Sequence, residues 1–225
     1  MSSREKILKK LWAAQKADAA GAENSTPASS DDQSVFKDYP VDEDLSALFK
    51  SRIEALNGEF YKVKGIQDAA EVILELVQAA QKGACIAQNH NFVQSLLAAH
   101  PVLQECFRTL PDSFSNLEFE HAAVGLTVAD ALIARTGSIA LNTVSAGGRR
   151  LSVLPPFHIV LATQNQLVPS MQEALAKLHE TESWSYATFI TGPSRTADIQ
   201  KNLVLGAHGP KRLAVVCVED ASSSA

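Results

Sequence analysis

Short apolar runs alternate along this chain with segments whose apolar residues recur at helical spacing. Residues 60–63, 84–87, 117–123, 138–141, 158–162, 187–191 and 213–218 read as strands. Between them lie helical patterns. Asp44 can cap a helix that carries Leu45, Leu48, Phe49, Ile53 and Leu56 and stops at Gly58. Asp68 and Glu71 form a capping-box opening for a stripe of Val72, Ile73, Leu76, Val77 and Ala80, ended by Gly83. The spacing predicts a helix over 92–107, broken or kinked at Pro101, and a short helix over 128–134 that ends near Gly137. Ser170 and Glu173 open a last helix that runs to about His179.

Short buried strands separated by helices predict an α/β fold of three layers: a parallel-rich sheet with helices on both faces. Such sheets bind ligands outside the carboxyl ends of their strands, so the residues after each strand in the C-terminal half draw attention.

The pattern differs before residue 45. Residues 2–14 read as a short helix capped by Ser2 and Glu5, with Ile7, Leu8, Leu11 and Trp12 on one face. Residues 18–34 hold few large apolar groups, cannot offset their ordering entropy by burial, and read as a flexible linker. A tethered Leu/Trp face suggests docking, with packing on the chain's own domain the first expectation. The expected organisation is therefore a helix and linker over 1–44, an α/β domain over 45–220 and a disordered tail over 221–225.

Composition narrows the class. With 46% hydrophobic and 20% charged residues the chain is ordinary for a soluble globular protein. No apolar run approaches the roughly 18 residues of a membrane span, and no signal-peptide core follows Met1. Three dispersed cysteines, Cys85, Cys106 and Cys217, suit neither a disulfide framework nor a C-x-x-C metal site, and fit a reducing cytoplasm. The formal charge of −5 is unevenly spread: residues 18–48 carry −7, and residues 125–215 carry +3. The basic residues are not interleaved with aromatics, which make up only 6% of the chain, so nucleic acid is not an expected partner.

Three segments in that basic half combine glycine, hydroxyl residues and arginine. The first runs from Asn142 to Arg150 and holds Gly148, Arg149 and Arg150. The second runs from Thr191 to Ile199 with Gly192, Ser194, Arg195 and Thr196, and the third from Gly206 to Arg212 with His208. Backbone N–H groups and guanidinium forks of this kind suit a carboxylate or phosphate. Each also has a plain structural reading: Ser194 or Thr196 as a cap for a helix over 197–203, Gly192 as a turn glycine, and Asp198 as a local ion-pair partner of Arg195. The phosphate-loop, dinucleotide and G-x-S-x-G motifs are all absent from the sequence. His158 and His208 lack metal-ligand spacing, so His158 reads as a strand-end histidine bonded to a backbone carbonyl.

Four segments in order carry a family resemblance: Val124-Gly-Leu-Thr-Val-Ala-Asp-Ala-Leu-Ile-Ala-Arg-Thr-Gly-Ser138, Leu154-Pro-Pro-Phe-His-Ile-Val160, Thr191-Gly-Pro-Ser-Arg-Thr-Ala-Asp-Ile199 and Leu203-Val-Leu-Gly-Ala-His-Gly-Pro210. Together they resemble the LUD-domain family, in particular its C-type lactate-utilisation members, over roughly residues 45–220. The resemblance implies the superfold of sugar-phosphate isomerases and CoA transferases. It also implies a part in oxidising L-lactate to pyruvate beside two iron–sulfur partner subunits. This chain has no cysteine cluster, so no cofactor is expected in it and the clusters are expected in the partners. The resemblance also implies Glu in many members where Arg135 stands here; were that acid catalytic, as a glutamate is in CoA transferases, this chain would lack it.

Two functions follow. One is an accessory or regulatory subunit of lactate oxidation that binds a small anion through Thr136, Gly137, Ser138 and the three loops. The other is a stand-alone isomerase, CoA or acyl transferase, or cyclo-ligase. It would hold a phosphate with Arg149, Arg150, Arg195 and Arg212 and use Asp198 or His208 as a base.

Overall fold

Six parallel strands form the main sheet in the order β1-β12-β7-β4-β2-β3. They are β1 (Glu59–Val63), β2 (Ala84–Ala87), β3 (Phe107–Thr109), β4 (Ala122–Val128), β7 (Phe157–Thr163) and β12 (Arg212–Val218). The computed structural model describes residues 44–80, 83–110, 121–142, 149–180, 186–197, 203–205 and 209–219, all within the unit Asp44–Ala225. The predicted helix at 2–14, the linker at 18–34 and the tail at 221–225 lie outside the described residues.

The central strands are apolar because both faces of the sheet are covered. Every residue of β4 is buried. Alternate side chains go to opposite faces. Val124, Leu126, Phe157, Ile159, Ala214 and Val216 join one core with α2 (Ile66–Gln78), α3 (Asn91–Ala99) and α4 (Pro101–Cys106). Val160, Ala162, Val215 and Cys217 join a second core with α1 (Leu45–Ala55) on the other face. In α1, Asp44 caps the first turn by accepting from the Ser46 amide, and Phe49 meets Phe60 of β1 edge-on at 5.3 Å between ring centres. Pro101 ends the predicted 92–107 helix as expected, dividing it into α3 and α4 at His100. The helix expected to open at Asp68 starts earlier, at Ile66, which leaves Asp68 in its first turn near the positive helix end.

A second sheet shares that other face, in the order β8-β5-β6-β9. Its strands are β5 (Ala131–Ile133), β6 (Ser138–Asn142), β8 (Leu167–Val168) and β9 (Ala187–Ile190). Leu132, Ile139 and Leu141 face the main sheet, while Ala131, Ile133 and Ala140 face α6 (Met171–Glu180). The expected helix over 128–134 is thereby corrected: β4 runs on to Val128, and Ala129 and Asp130 turn into β5. These small apolar residues would also suit a helix, but burial on both faces of a thin sheet overrides their local propensity.

Two further pieces were not foreseen. Residues Arg195–Ala197 (β10) pair antiparallel with Leu203–Leu205 (β11), so the expected helix over 197–203 does not begin at Ala197, and Ser194 precedes a strand. Residues Arg150–Val153 form α5, a short helix laid against Gly125 of β4. A Cβ on Gly125 would stand 2.3 Å from the Leu151 carbonyl oxygen, so only glycine permits this approach. Among the described residues no helix is long and apolar enough to cross a membrane.

Candidate functional site

The chain leaves neighbouring strands β2 and β4 in opposite directions. From β2 it passes through α3 and α4 to edge strand β3, and from β4 it passes through β5, β6 and α5 to β7. The carboxyl ends of such a strand pair flank a crevice, the usual ligand position in open α/β sheets. Gln88 fixes the two lips together. Its amide donates to the Leu126 carbonyl at 2.9 Å, and its buried Oε1 accepts from the Val128 amide at 2.8 Å. That tie extends the strand register by one step, so His90 and Asp130 each follow a bonded residue, Gln88 or Val128, by two positions.

His90 caps α3: its Nδ1 accepts from the Phe92 amide at 3.1 Å. An accepting Nδ1 places the proton of the neutral ring on Nε2. Burial lowers the affinity of this ring for a second proton, against the pull of the Asp130 charge. Asp130 is also half-buried. Its amide donates to the Ala140 carbonyl at 2.9 Å, and its Oδ2 accepts from the Asn142 amide. Burial raises its carboxyl above the ordinary range, opposed by the Asn142 hydrogen bond and by His90. His90 and Asp130 thus follow the carboxyl ends of neighbouring strands β2 and β4, and each influences the other's charge. Asn142 is the last residue of β6 and the first of the segment 142–150 singled out in the sequence.

A different group of the expected binding residues gathers at the other end of β6. The Thr136 hydroxyl donates to Ser138 Oγ at 2.7 Å, and Ser138 Oγ lies 2.7 Å from Thr191 Oγ1. Gly137 has φ +64, and a Cβ there would meet the Ile53 amide of α1 at 2.6 Å. Gly192 packs on Leu56 in the same way, with a Cβ position 3.0 Å from that side chain. The Ser194 amide donates to the Pro210 carbonyl at 2.9 Å, so the second and third glycine-containing segments meet there. Arg195 is exposed, and its Nη2 lies 3.8 Å from the Cβ position of Gly192.

The arginines do not share one cleft. Arg212 opens β12 at the amino end of the sheet, where its Nε and Nη2 donate to Glu59 and its guanidinium lies 4.3 Å from the centre of the Phe157 ring. The Glu59 carboxyl is held below its usual range by these bonds. Arg149 lies 5.4 Å over the exposed ring of Tyr186, and Arg150 begins α5 at the surface. The Arg135 amide donates to the Pro169 carbonyl at 3.3 Å. Gly148, Asp198 and His208 lie outside the described residues, and Thr196 lies in β10.

His158 is buried inside the sheet, and its Nε2 sits 2.9 Å from Thr127 Oγ1. The expected backbone carbonyl partner is replaced by a side-chain hydroxyl. Burial pushes its pKa down to about 3, so it is neutral. Cys85 and Cys217 pack into the cores on opposite faces of the main sheet, and burial pushes both thiols up to about 11. Neither can readily supply a thiolate. Among the described residues no three His, Cys, Asp or Glu side chains gather as a metal set.

Sequence reasoning missed Gln88 and His90. The signal was present: Gln88-Asn-His-Asn91 is a wholly polar run directly after a buried strand. The run lies outside the basic half and carries no charge, so it resembles an ordinary loop.

A parallel sheet packed by helices on one face, and by a helix and a second sheet on the other, defines an α/β protein of the doubly wound kind. The LUD domain model matches residues 46–218, and the chain belongs to the LUD-domain family. Lactate utilization protein C of Anoxybacillus flavithermus is 30% identical over 194 residues, which cover 84% of this chain and 86% of that protein. The protein of the same name from Halalkalibacterium halodurans is 39% identical over 106 residues, and there the chain spans about half of the relative, 46% of its length. A crystal structure of a DUF162 family protein from Deinococcus radiodurans shares the fold, with a TM-score of 0.55 at 22% identity over 77% of this chain and 96% of that one.

Proposed function

We propose that this chain is a component of L-lactate utilisation, the oxidation of L-lactate to pyruvate, and serves there as an accessory or regulatory subunit that binds a small anion. The observation that carries the reading is the alignment with a lactate utilization protein C along 84% of the chain. Oxidation of lactate to pyruvate releases two electrons and two protons. The cysteines of this chain are dispersed, and two of them are buried thiols on opposite faces of the sheet. The electrons are therefore assigned to iron–sulfur clusters held by partner subunits, with the complex in the cytoplasm. The alternative, an enzyme that grips a phosphate with its arginines, is less favoured because Arg212 is already bonded to Glu59 through two nitrogens.

Deleting the gene and growing cells on L-lactate as sole carbon source tests the role. Lost growth, restored by the full chain, is the expected result. Unchanged growth overturns it. Purification of the tagged chain from lactate-grown cells is expected to bring iron-containing partners with it, and a chain that purifies alone, free of iron, overturns the assignment of partners.

A further inference from the structure

We propose that the hydroxyl chain Thr136–Ser138–Thr191, flanked by Arg52 and Arg195, forms a seat for a phosphoryl group, carried by a small metabolite or by free phosphate. This deepens the reading above by naming the class of anion and its place, and it rests on that reading only for the expectation that an anion binds. The place follows from packing. Gly137 and Gly192 both lie against α1. A Cβ on Gly137 would stand 2.9 Å from Arg52 Cβ, and one on Gly192 would stand 3.0 Å from Leu56 Cβ and 3.8 Å from Arg195 Nη2. Ser138 and Thr191, the chain neighbours of those glycines, have hydroxyls 2.7 Å apart. The Arg52 side chain therefore starts beside one end of the hydroxyl chain, and the Arg195 guanidinium stands beside the other.

The hydrogens of the chain are ordered. Thr136 donates to Ser138 Oγ at 2.7 Å. Ser138 is 2% exposed, and among the described residues Thr191 Oγ1 is the acceptor within its reach, so Ser138 passes its own hydrogen there. Thr191 is exposed, and its hydroxyl hydrogen is left to give to a ligand beside Arg195. Arg52 and Arg195 are exposed too, and among the described residues neither is in an ion pair. The carboxylates that follow Arg52 in the chain are already taken: Glu54 pairs with Lys50, and Glu59 accepts from Arg212 and Tyr61. A phosphoryl dianion matches this set. Two guanidinium charges balance its charge, and its terminal oxygens accept from two forks and one hydroxyl. A carboxylate carries a single charge on two oxygens and leaves one arginine unmatched.

Titration of the full chain with inorganic phosphate, glycerol 3-phosphate and acetate, followed by calorimetry or NMR, tests the assignment. At least one of the two phosphates is expected to bind at about millimolar concentration or tighter, and at least about tenfold more tightly than acetate. Tighter binding of the ester assigns the seat to a phosphorylated metabolite, and equal or tighter binding of inorganic phosphate assigns it to free phosphate. Arg52→Gln and Arg195→Gln are each expected to weaken phosphate binding about tenfold or more. Thr191→Val is expected to weaken it about threefold or more, and Thr191→Ser to restore it. Arg149→Gln, which removes the guanidinium over Tyr186, is expected to leave binding unchanged. Melting curves identify variants that fold. The inference falls if the wild type binds neither phosphate more tightly than acetate, or if folded Arg52 and Arg195 variants keep the wild-type affinity. It falls equally if Arg149→Gln weakens binding as much as they do. Growth on L-lactate reads the proposed role separately, so a failed seat and a failed role are told apart.

Discussion

Arg212 and Glu59 lie 153 residues apart in the chain and meet through two parallel hydrogen bonds at the amino end of the main sheet. The bond joins the start of β12 to the start of β1. Arg212→Ala or Glu59→Gln is expected to lower stability by about 1 kcal/mol, the modest value of a pair about one-third exposed to solvent. Glu59 has a lowered carboxyl pKa, so its contribution is full above the ordinary carboxylate range and is lost as pH falls through the folded-state value. A double-mutant cycle in urea at pH 7 and pH 3 measures both effects. Arg212→Lys keeps the charge but not the fork, and is expected to recover only part of the loss.

His158 makes a second pH dependence. It is neutral in the folded protein down to about pH 3, whereas in the unfolded chain it takes a proton near its ordinary value of 6.5. Below 6.5 the unfolded state therefore binds more protons than the folded state. Stability present above that pH is lost on acidification, at up to about 1.4 kcal/mol per pH unit from this one group. His158→Gln is expected to flatten the fall of the urea midpoint between pH 6.5 and 4. A wild-type and variant profile of equal slope would show that the ring becomes protonated inside the fold.

Gly125 and Gly65 form a matched test of close packing. A methyl group at 125 would overlap the Leu151 carbonyl and also approach Pro155, while one at 65 meets nothing within 4 Å. Gly125→Ala is expected to cost about 2–4 kcal/mol and to push α5 off the sheet. Gly65→Ala is expected to change stability by less than about 1 kcal/mol. Denaturant midpoints of both variants measure the difference.

The hydroxyl chain Thr136–Ser138–Thr191 is largely shielded from water at its middle member, as Ser138 is only 2% exposed. Ser138→Ala leaves the Thr191 hydroxyl without this partner and is expected to cost about 1–2 kcal/mol. Thermal unfolding reads this cost.

How far the sequence led depends on what each segment touches. Strands such as 84–87 and 213–218 announce themselves because a parallel strand buried on both faces is apolar throughout. The break at Pro101 is local chemistry and was equally legible. The stretch 128–134 was misread because Ala, Leu and Ile serve a helix and a thin two-sided sheet alike, and only the presence of α6 and β8 decides between them. Arg212 looked like a ligand group because its partner, Glu59, sits in another part of the sequence. His90 was overlooked for the opposite reason. It caps a helix directly after a buried strand, and uncharged polar residues after a strand look like any loop.

The position of β12 between β1 and β7 sets a timetable for synthesis. β1 is made early, and its only sheet neighbour is made last among the described strands. While the ribosome translates everything between, β1 has no edge to join, and α1, which packs on Phe60, has an incomplete seat. Contacts closed over so long a separation form slowly. The nascent chain thus carries β1 with an unpaired edge, and Phe60 without its full seat, until β12 has been made.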